Sequence, residues 1–252
     1  MEMRALRRDR AARSGTELFL YERAFDDCLE RIAAMQRRFE KALLIGCPDS
    51  SWPKRLKALA DQVEVRDPGL LFADKVSGRT ILEDAWEPVA GSFDLVLAIG
   101  TLDTVNDLPL ALRLIRYSIR SGGVLIGAMS GGETLPELRA AMRTADVVTG
   151  TATPHVHPRI EASALAPLLS EAGFANPVVD IDRVAVSYPS LDRLIADLRA
   201  MGTTNILTAR PRFVGRAARA AAAENFARAR DGTRTTERFE TLHFVGWATF
   251  KG

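Results

Sequence analysis

The chain has 252 residues, 47% of them hydrophobic and 26% charged, and its formal net charge at pH 7 is +2. This composition is typical of a folded globular protein and excludes collagen-like and largely disordered chains. Without an apolar run of roughly 18–20 residues the sequence predicts no transmembrane segment, and its two cysteines predict a reducing, cytoplasmic location rather than a disulfide scaffold.

The first half of the chain alternates helices and strands. Apolar side chains every three or four positions predict an amphipathic helix between about residues 17 and 38. Apolar runs bounded by turn residues predict buried strands, and residues 93–100 (FDLVLAIG) are the clearest of them. The predicted strands cover residues 41–47, 62–67, 79–84 and 93–100, with a short helix over residues 52–60.

The second half continues the alternation. A helix capped by Asn106 and Asp107 is expected to end at Gly122-Gly123, before a strand over residues 124–129. The remaining segments are helices over 133–146, 160–172, 190–201 and 213–230, a loop over 150–159, an extended segment over 176–189 and a late strand over 238–250. Strands that alternate with helices imply right-handed crossovers and a parallel sheet.

The fold class predicted from this pattern is α/β, a Rossmann-like doubly wound sheet with extra helices at the N-terminus and in the C-terminal half. Residues 1–252 are expected to form a single domain. Its predicted parts are an N-terminal helical segment (1–40), a core (41–150), a helical lid (151–235) and a final strand (236–252).

Two segments are rich in arginine. Residues 1–13 carry five arginines against Glu2 and Asp9, and residues 210–230 carry six against Glu224. One interpretation is a pair of solvated helix faces, and the other is docking to an acidic protein partner, for which Arg216 and Arg219 are the named candidates. Aromatic residues make up 7% of the chain and do not alternate with the arginines, so no nucleic-acid partner is predicted.

Ligands of doubly wound sheets bind beyond the carboxyl ends of the strands, which selects residues 46–51, 67–72 and 99–106. Asp67 either binds a ligand there or caps the turn at Pro68. His155 and His157 share one face of an extended loop, but without a convincing third ligand they predict no metal site.

Several long stretches carry a resemblance to a known family. They are residues 93–109 (FDLVLAIGTLDTVNDLP), 122–142 (GGVLIGAMSGGETLPELRAAM), 153–158 (TPHVHP), 166–174 (APLLSEAGF), 179–205 (VDIDRVAVSYPSLDRLIADLRAMGTTN) and 244–247 (FVGW). The chain resembles the class I S-adenosylmethionine (SAM)-dependent methyltransferases and, among them, the NADH dehydrogenase (complex I) assembly factor 5 family. More distantly it resembles the malonyl-acyl-carrier-protein O-methyltransferases.

This resemblance implies a methyltransferase-type enzyme that binds SAM over its first strand. Asp67 would bind the ribose hydroxyls and Asp84 the adenine amino group. The positions implied to bind the cofactor are Gly46, Cys47, Asp67, Asp84 and Thr101. The implied catalytic residues are Asp103, beside the reacting centre, and His155 in the lid, as a general base or hydrogen-bond donor.

The turn after the first strand departs from the family pattern of an acid followed by Gly-Cys-Gly-x-Gly. The matching positions hold Leu44, Gly46, Cys47, Pro48 and Ser50. Leu44 cannot accept a hydrogen bond, and Pro48 has no N–H to donate. Three functions therefore stay open: modification of a protein partner such as a respiratory-complex subunit, O-methylation of a substrate on an acyl carrier protein, and assembly or binding without chemistry.

Overall fold

The computed structural model describes residues 2–15, 17–207 and 214–249. The helices are α1 (Glu2–Ser14), α2 (Phe19–Ala34), α3 (Trp52–Leu56), α4 (Leu70–Lys75), α5 (Leu108–Ser118), α6 (Pro136–Thr149), α7 (Ala162–Glu171), α8 (Leu191–Ala200) and α9 (Arg216–Arg228). The strands are β1 (Phe39–Ile45), β2 (Ala60–Asp67), β3 (Arg79–Thr80), β4 (Phe93–Ile99), β5 (Ile119–Ser130), β6 (Ala175–Tyr188), β7 (Arg230–Asp231) and β8 (Arg234–Trp247).

One mixed sheet organises the chain, in the order β3-β2-β1-β4-β5-β8-β6, with β7 paired to β8. Strands β1 to β5 pair in parallel, whereas β8 is antiparallel to both β5 and β6. The doubly wound α/β prediction is confirmed. The expectation of a wholly parallel sheet is wrong for β8, because an alternating pattern gives the exposure of a strand but not its direction.

Helices cover both faces of the sheet and bury an apolar layer on each. One layer joins α2, α3, α6, α8 and α9 to the sheet around Phe25 and Trp52, whose rings stack with centroids 4.2 Å apart. The other joins α5 and α7 to the sheet around Leu112 and Phe244. Central strand β4 is buried along its whole length, as its continuous apolar run predicts.

Several sequence-predicted boundaries differ from the structure. Helix α5 ends at Ser118, and Gly122-Gly123 lie inside β5, where a side chain on Gly123 would press on the backbone oxygen of Asp94. The strand predicted over 79–84 shortens to Arg79–Thr80. The predicted late strand begins earlier, at Arg234. Arg210 and Arg212 of the second basic segment lie outside the described residues.

Helix α5 begins with a cap that can be tested. The Asp107 carboxylate accepts a hydrogen bond from the backbone N–H of Leu110 at 2.8 Å. Replacing Asp107 by alanine leaves that N–H unpaired, so we expect the free energy of unfolding to fall by about 1 kcal/mol in urea titrations. The matched control is Asn106→Ala, expected to change stability by less than about 0.5 kcal/mol. Equal effects of the two substitutions would contradict the cap.

Candidate functional site

The turn that follows β1 keeps the backbone shape of a ligand-binding turn. Gly46 adopts a positive φ of 84°, and a side chain there would collide with the backbone of Ile99. The next residue, Cys47, is buried, and its backbone N–H donates to Asp67 at 2.8 Å. Burial, followed by the nearby Asp67 carboxylate, raises the pKa of the Cys47 thiol to about 12, so this side chain stays protonated and is a poor nucleophile.

Asp67 lies at the end of β2 and is fully buried. Its Oδ1 accepts hydrogen bonds from Arg8 Nε at 2.7 Å and from the backbone N–H of Gly69 at 2.7 Å. Its Oδ2 accepts from Arg8 Nη2 at 2.5 Å and from the backbone N–H of Cys47 at 2.8 Å. A carboxylate offers about four lone-pair sites, and all of them are used here. The pair of ribose hydroxyls expected at Asp67 would compete with Arg8 for the same oxygens.

Arg8 reaches Asp67 because helix α1 lies across the carboxyl ends of the strands. Its buried stripe consists of Arg4, Arg8 and Ala11, at the spacing of one helix face. Gly69 lets the helix approach closely, because a Cβ at that position would lie 2.8 Å from the Cβ of Arg8. Burial alone would lower the pKa of Arg8, but attraction and hydrogen bonding to Asp67 raise it, so the pair is held in its charged form.

Arg4 fills the neighbouring position one helical turn earlier. Its Nη1 and Nη2 each donate to the buried Glu83 carboxylate at 2.6 Å, and Nη2 also donates to the backbone oxygen of Thr101 at 2.7 Å. The third nitrogen, Nε, donates to Thr104 Oγ1 at 2.9 Å. Such a bidentate arginine–carboxylate pair is among the stronger charged contacts in proteins.

Asp84 lies beside Glu83 but faces a different part of the chain. Its Oδ2 accepts from the backbone N–H groups of Asn106 at 3.1 Å and Asp107 at 3.0 Å, and thereby holds the loop before α5. Sequence reasoning selected Asp84 for adenine and missed Glu83. The structure brings Gly46, Cys47, Asp67 and Thr101 together under α1, with Glu83 in place of Asp84.

Asp103 forms a nearly fully buried ion pair with Arg159, whose Nη1 also donates to the Asp103 backbone oxygen at 3.1 Å. Both line an otherwise largely apolar cavity between α2, α8 and the ends of β4 and β5. About 60 Å³ of it can hold the centres of water molecules, enough for a few. Burial raises the pKa of Tyr21, at the cavity wall, to about 12.

His155 lies in a different recess from Asp103. Its Nε2 is 2.7 Å from Asp146 Oδ1 and 2.9 Å from Thr153 Oγ1. This recess is lined by α6, including Arg139 and Arg143, and by the loop over residues 153–158, not by the residues of the Asp103 cavity. The two residues predicted as catalytic are therefore not brought to one cavity, and their roles remain predictions.

The residues at this edge do not fit SAM in the conformation described. Leu44 is buried in the core and offers no acceptor, Pro48 offers no N–H, and α1 uses the acceptors of Asp67 and Glu83. Sequence reasoning missed Arg4, Arg8, Glu83 and Arg159. The four-residue spacing of Arg4 and Arg8 places both on one face of a helix, but it does not distinguish a buried face from a solvated one.

Within residues 2–15, 17–207 and 214–249, no group of three or more His, Cys, Asp or Glu side chains is placed to hold a metal ion. The helices of the same ranges include none that is both long and apolar enough to cross a membrane.

Known proteins similar to this chain include members of two named groups. It is 32% identical to mouse mitochondrial arginine-hydroxylase NDUFAF5 and 38% identical to the human protein, each over 91% of this chain and 70% of the relative. It is also 32% identical to the malonyl-[acyl-carrier protein] O-methyltransferase of Xylella fastidiosa, over 85% of this chain and 69% of that enzyme. No protein-family model matches the chain.

Solved structures share the fold at low sequence identity. The YcgJ protein of Bacillus subtilis has a TM-score of 0.62 at 11% identity and covers 88% of this chain and 98% of its own. Phosphoethanolamine N-methyltransferase 2 of Haemonchus contortus, solved with S-adenosylhomocysteine (SAH), has a TM-score of 0.53 at 11% identity, covering 90% of this chain and 52% of its own. The [4+2]-cyclase SpnF has a TM-score of 0.50 at 15% identity, covering 89% of this chain and 81% of its own. These matches show the methyltransferase-type fold alone.

Proposed function

Because this chain belongs to the NDUFAF5 family, within the class I methyltransferase-type proteins, we propose that it is an assembly-type protein that binds a protein partner. In this proposal helix α1 occupies the place that the fold gives to the adenosyl group, and SAM chemistry is lost. A respiratory-complex subunit is the proposed partner, and an acyl carrier protein is the alternative suggested by the Xylella relative. The proposed location is the cytoplasm, although the NDUFAF5 relatives are named mitochondrial.

The saturation of Asp67 by Arg8 is the observation that supports this proposal. A ribose could reach the carboxylate after Arg8 had left, and breaking a buried ion pair costs about 3–5 kcal/mol. A cost of about 4 kcal/mol before binding weakens an apparent affinity by a factor of about 1,000. Leu44 and Pro48 also remove contacts to the methionyl end of SAM. Little binding free energy is therefore left to offset the cost of breaking the ion pair.

A second candidate is a SAM-dependent enzyme that modifies its protein partner after α1 has moved. The observation in its favour is that Gly46, with its positive φ, and Asp67 persist beneath α1, next to the cavity that Asp103 lines. In this candidate α1 covers the cofactor site reversibly, and Asp103 and His155 keep their predicted catalytic roles.

Titration with SAM and SAH separates the two candidates. At about 1 mM of either ligand we expect no binding heat and a change in unfolding free energy below about 0.5 kcal/mol. A ligand present at about 100 times its Kd would add about 2.7 kcal/mol. The Xylella O-methyltransferase, titrated in parallel, controls for ligand quality. Saturable binding to the wild-type chain with a Kd below about 10 µM would contradict the proposal.

A further inference from the structure

Helix α1 has the reverse of the usual amphipathic arrangement. Charged Arg4 and Arg8 point into the protein, whereas Met3 is 39% exposed and Leu6 is 57% exposed. The helix contacts α4 and α8. The ion pairs of the inner face set the rotation of the helix about its axis. The exposure of Met3 and Leu6 therefore follows from how α1 is packed.

The same side of α1 carries positive charge that is not neutralised locally. Among the described residues, no carboxylate lies within ion-pair distance of Arg7, Arg10 or Arg199. Arg7 Nε is buried, and it has no hydrogen-bond partner among the residues that the structure describes. Burial, then Arg10 and Arg199, lower the pKa of Arg7, which indicates that like charges converge there.

The acidic side chains near these arginines bind other groups. Asp9, on the far side of α1, accepts from the backbone N–H of Leu71 at 3.0 Å. On α8, Asp197 pairs with Arg193 at 3.0 Å. The surface therefore combines exposed apolar side chains with guanidinium groups that can still accept a carboxylate partner, a mixture enriched in protein–protein interfaces.

We propose that the α1–α8 face, formed by Met3, Leu6, Arg7, Arg10 and Arg199, docks an acidic surface of the partner protein. This inference rests on the proposed function in one respect, that the partner is a protein. Carboxylates of the partner would pair with the accessible ends of the guanidinium groups, while an apolar side chain would cover Leu6. Two exposed apolar side chains without an aromatic residue are too few for a helix that lies in a bilayer interface.

The test uses the full chain and a fluorescein-labelled amphipathic peptide made of Glu, Leu and Ala, followed by fluorescence anisotropy. The double variant Arg10→Glu with Arg199→Glu is expected to weaken peptide binding about tenfold, because both side chains are exposed and the substitutions reverse the charge of the face. The matched control is Arg216→Glu with Arg219→Glu on α9, the docking candidates suggested by the sequence. It changes the net charge equally and is expected to stay within about twofold of wild type, because Arg219 already pairs with Asp192 at 2.8 Å.

Three outcomes would overturn the proposal. Equal weakening by both double variants would indicate general charge attraction, and no weakening by the first would exclude the face. Sedimentation of the wild-type chain with phosphatidylglycerol vesicles, lost in Arg10→Glu with Arg199→Glu, would assign the face to a membrane instead. SAM titration of the same samples reads out the proposed function separately, since neither exposed arginine contacts Asp67.

Discussion

Replacing Arg8 by methionine is expected to lower the free energy of unfolding by about 3–5 kcal/mol in urea titrations. The substitution keeps most of the aliphatic length but leaves the Asp67 carboxylate buried with two backbone N–H donors, from Cys47 and Gly69, and no counter-charge. A buried carboxylate without a cation is far more costly than the absence of the whole pair, because its desolvation is no longer offset.

Two companion variants make this expectation specific. Arg8→Met combined with Asp67→Asn removes both charges, and the single amide oxygen can still accept from one of the two N–H groups of Cys47 and Gly69, so part of the lost stability should return. Arg10→Met removes an exposed guanidinium from the same helix and should change stability by less than about 0.5 kcal/mol. A loss below about 1 kcal/mol for Arg8→Met would mean that Asp67 is not held by Arg8 in solution.

The central part of the sheet could be predicted because its signals are local. Buried strands β1 and β4 are continuous apolar runs, and a glycine with positive φ and an acid at a strand end mark the ligand edge. Gly46 and Asp67 were found in this way. Their neighbour Glu83 was not, since β3 has two residues and gives no alternation from which to tell an inward side chain from an outward one.

Helix α1 could not be placed from the sequence for a different reason. Packing is read from apolar stripes, and a stripe of arginines four residues apart is typical of a solvated face. Arg4 and Arg8 are buried because two carboxylates from β2 and the segment after β3 meet at the same edge, a juxtaposition of residues more than 50 positions away in the sequence. Asp103 and Arg159, which also pair, are likewise distant in the sequence, at 56 positions apart.

Removing both inward arginines, in the double variant Arg4→Met with Arg8→Met, is expected to release α1 while the sheet stays folded. The helix buries no large apolar side chain on its inner face, where Ala11 is the remaining member of the stripe, so the two ion pairs supply most of its attachment. Hydrogen exchange of the backbone amides of residues 6–14 should accelerate by about 100-fold or more, since each 1.4 kcal/mol lost is a factor of about ten. Mass spectrometry of the N-terminal peptide measures this directly.

The control and the ligand response of this variant decide between the two candidate functions. The control, Arg10→Met with Arg13→Met, also replaces two arginines of α1 by methionine, but on its outer face. It should leave the hydrogen-exchange rates of the same amides within about threefold of wild type. SAH should still fail to bind the released double variant, because Leu44 and Pro48 are unaltered and leave the methionyl end without an acid or a full set of N–H donors. Binding that appears once α1 is released would instead show that the helix covers a working cofactor site, which favours the enzyme that modifies its partner.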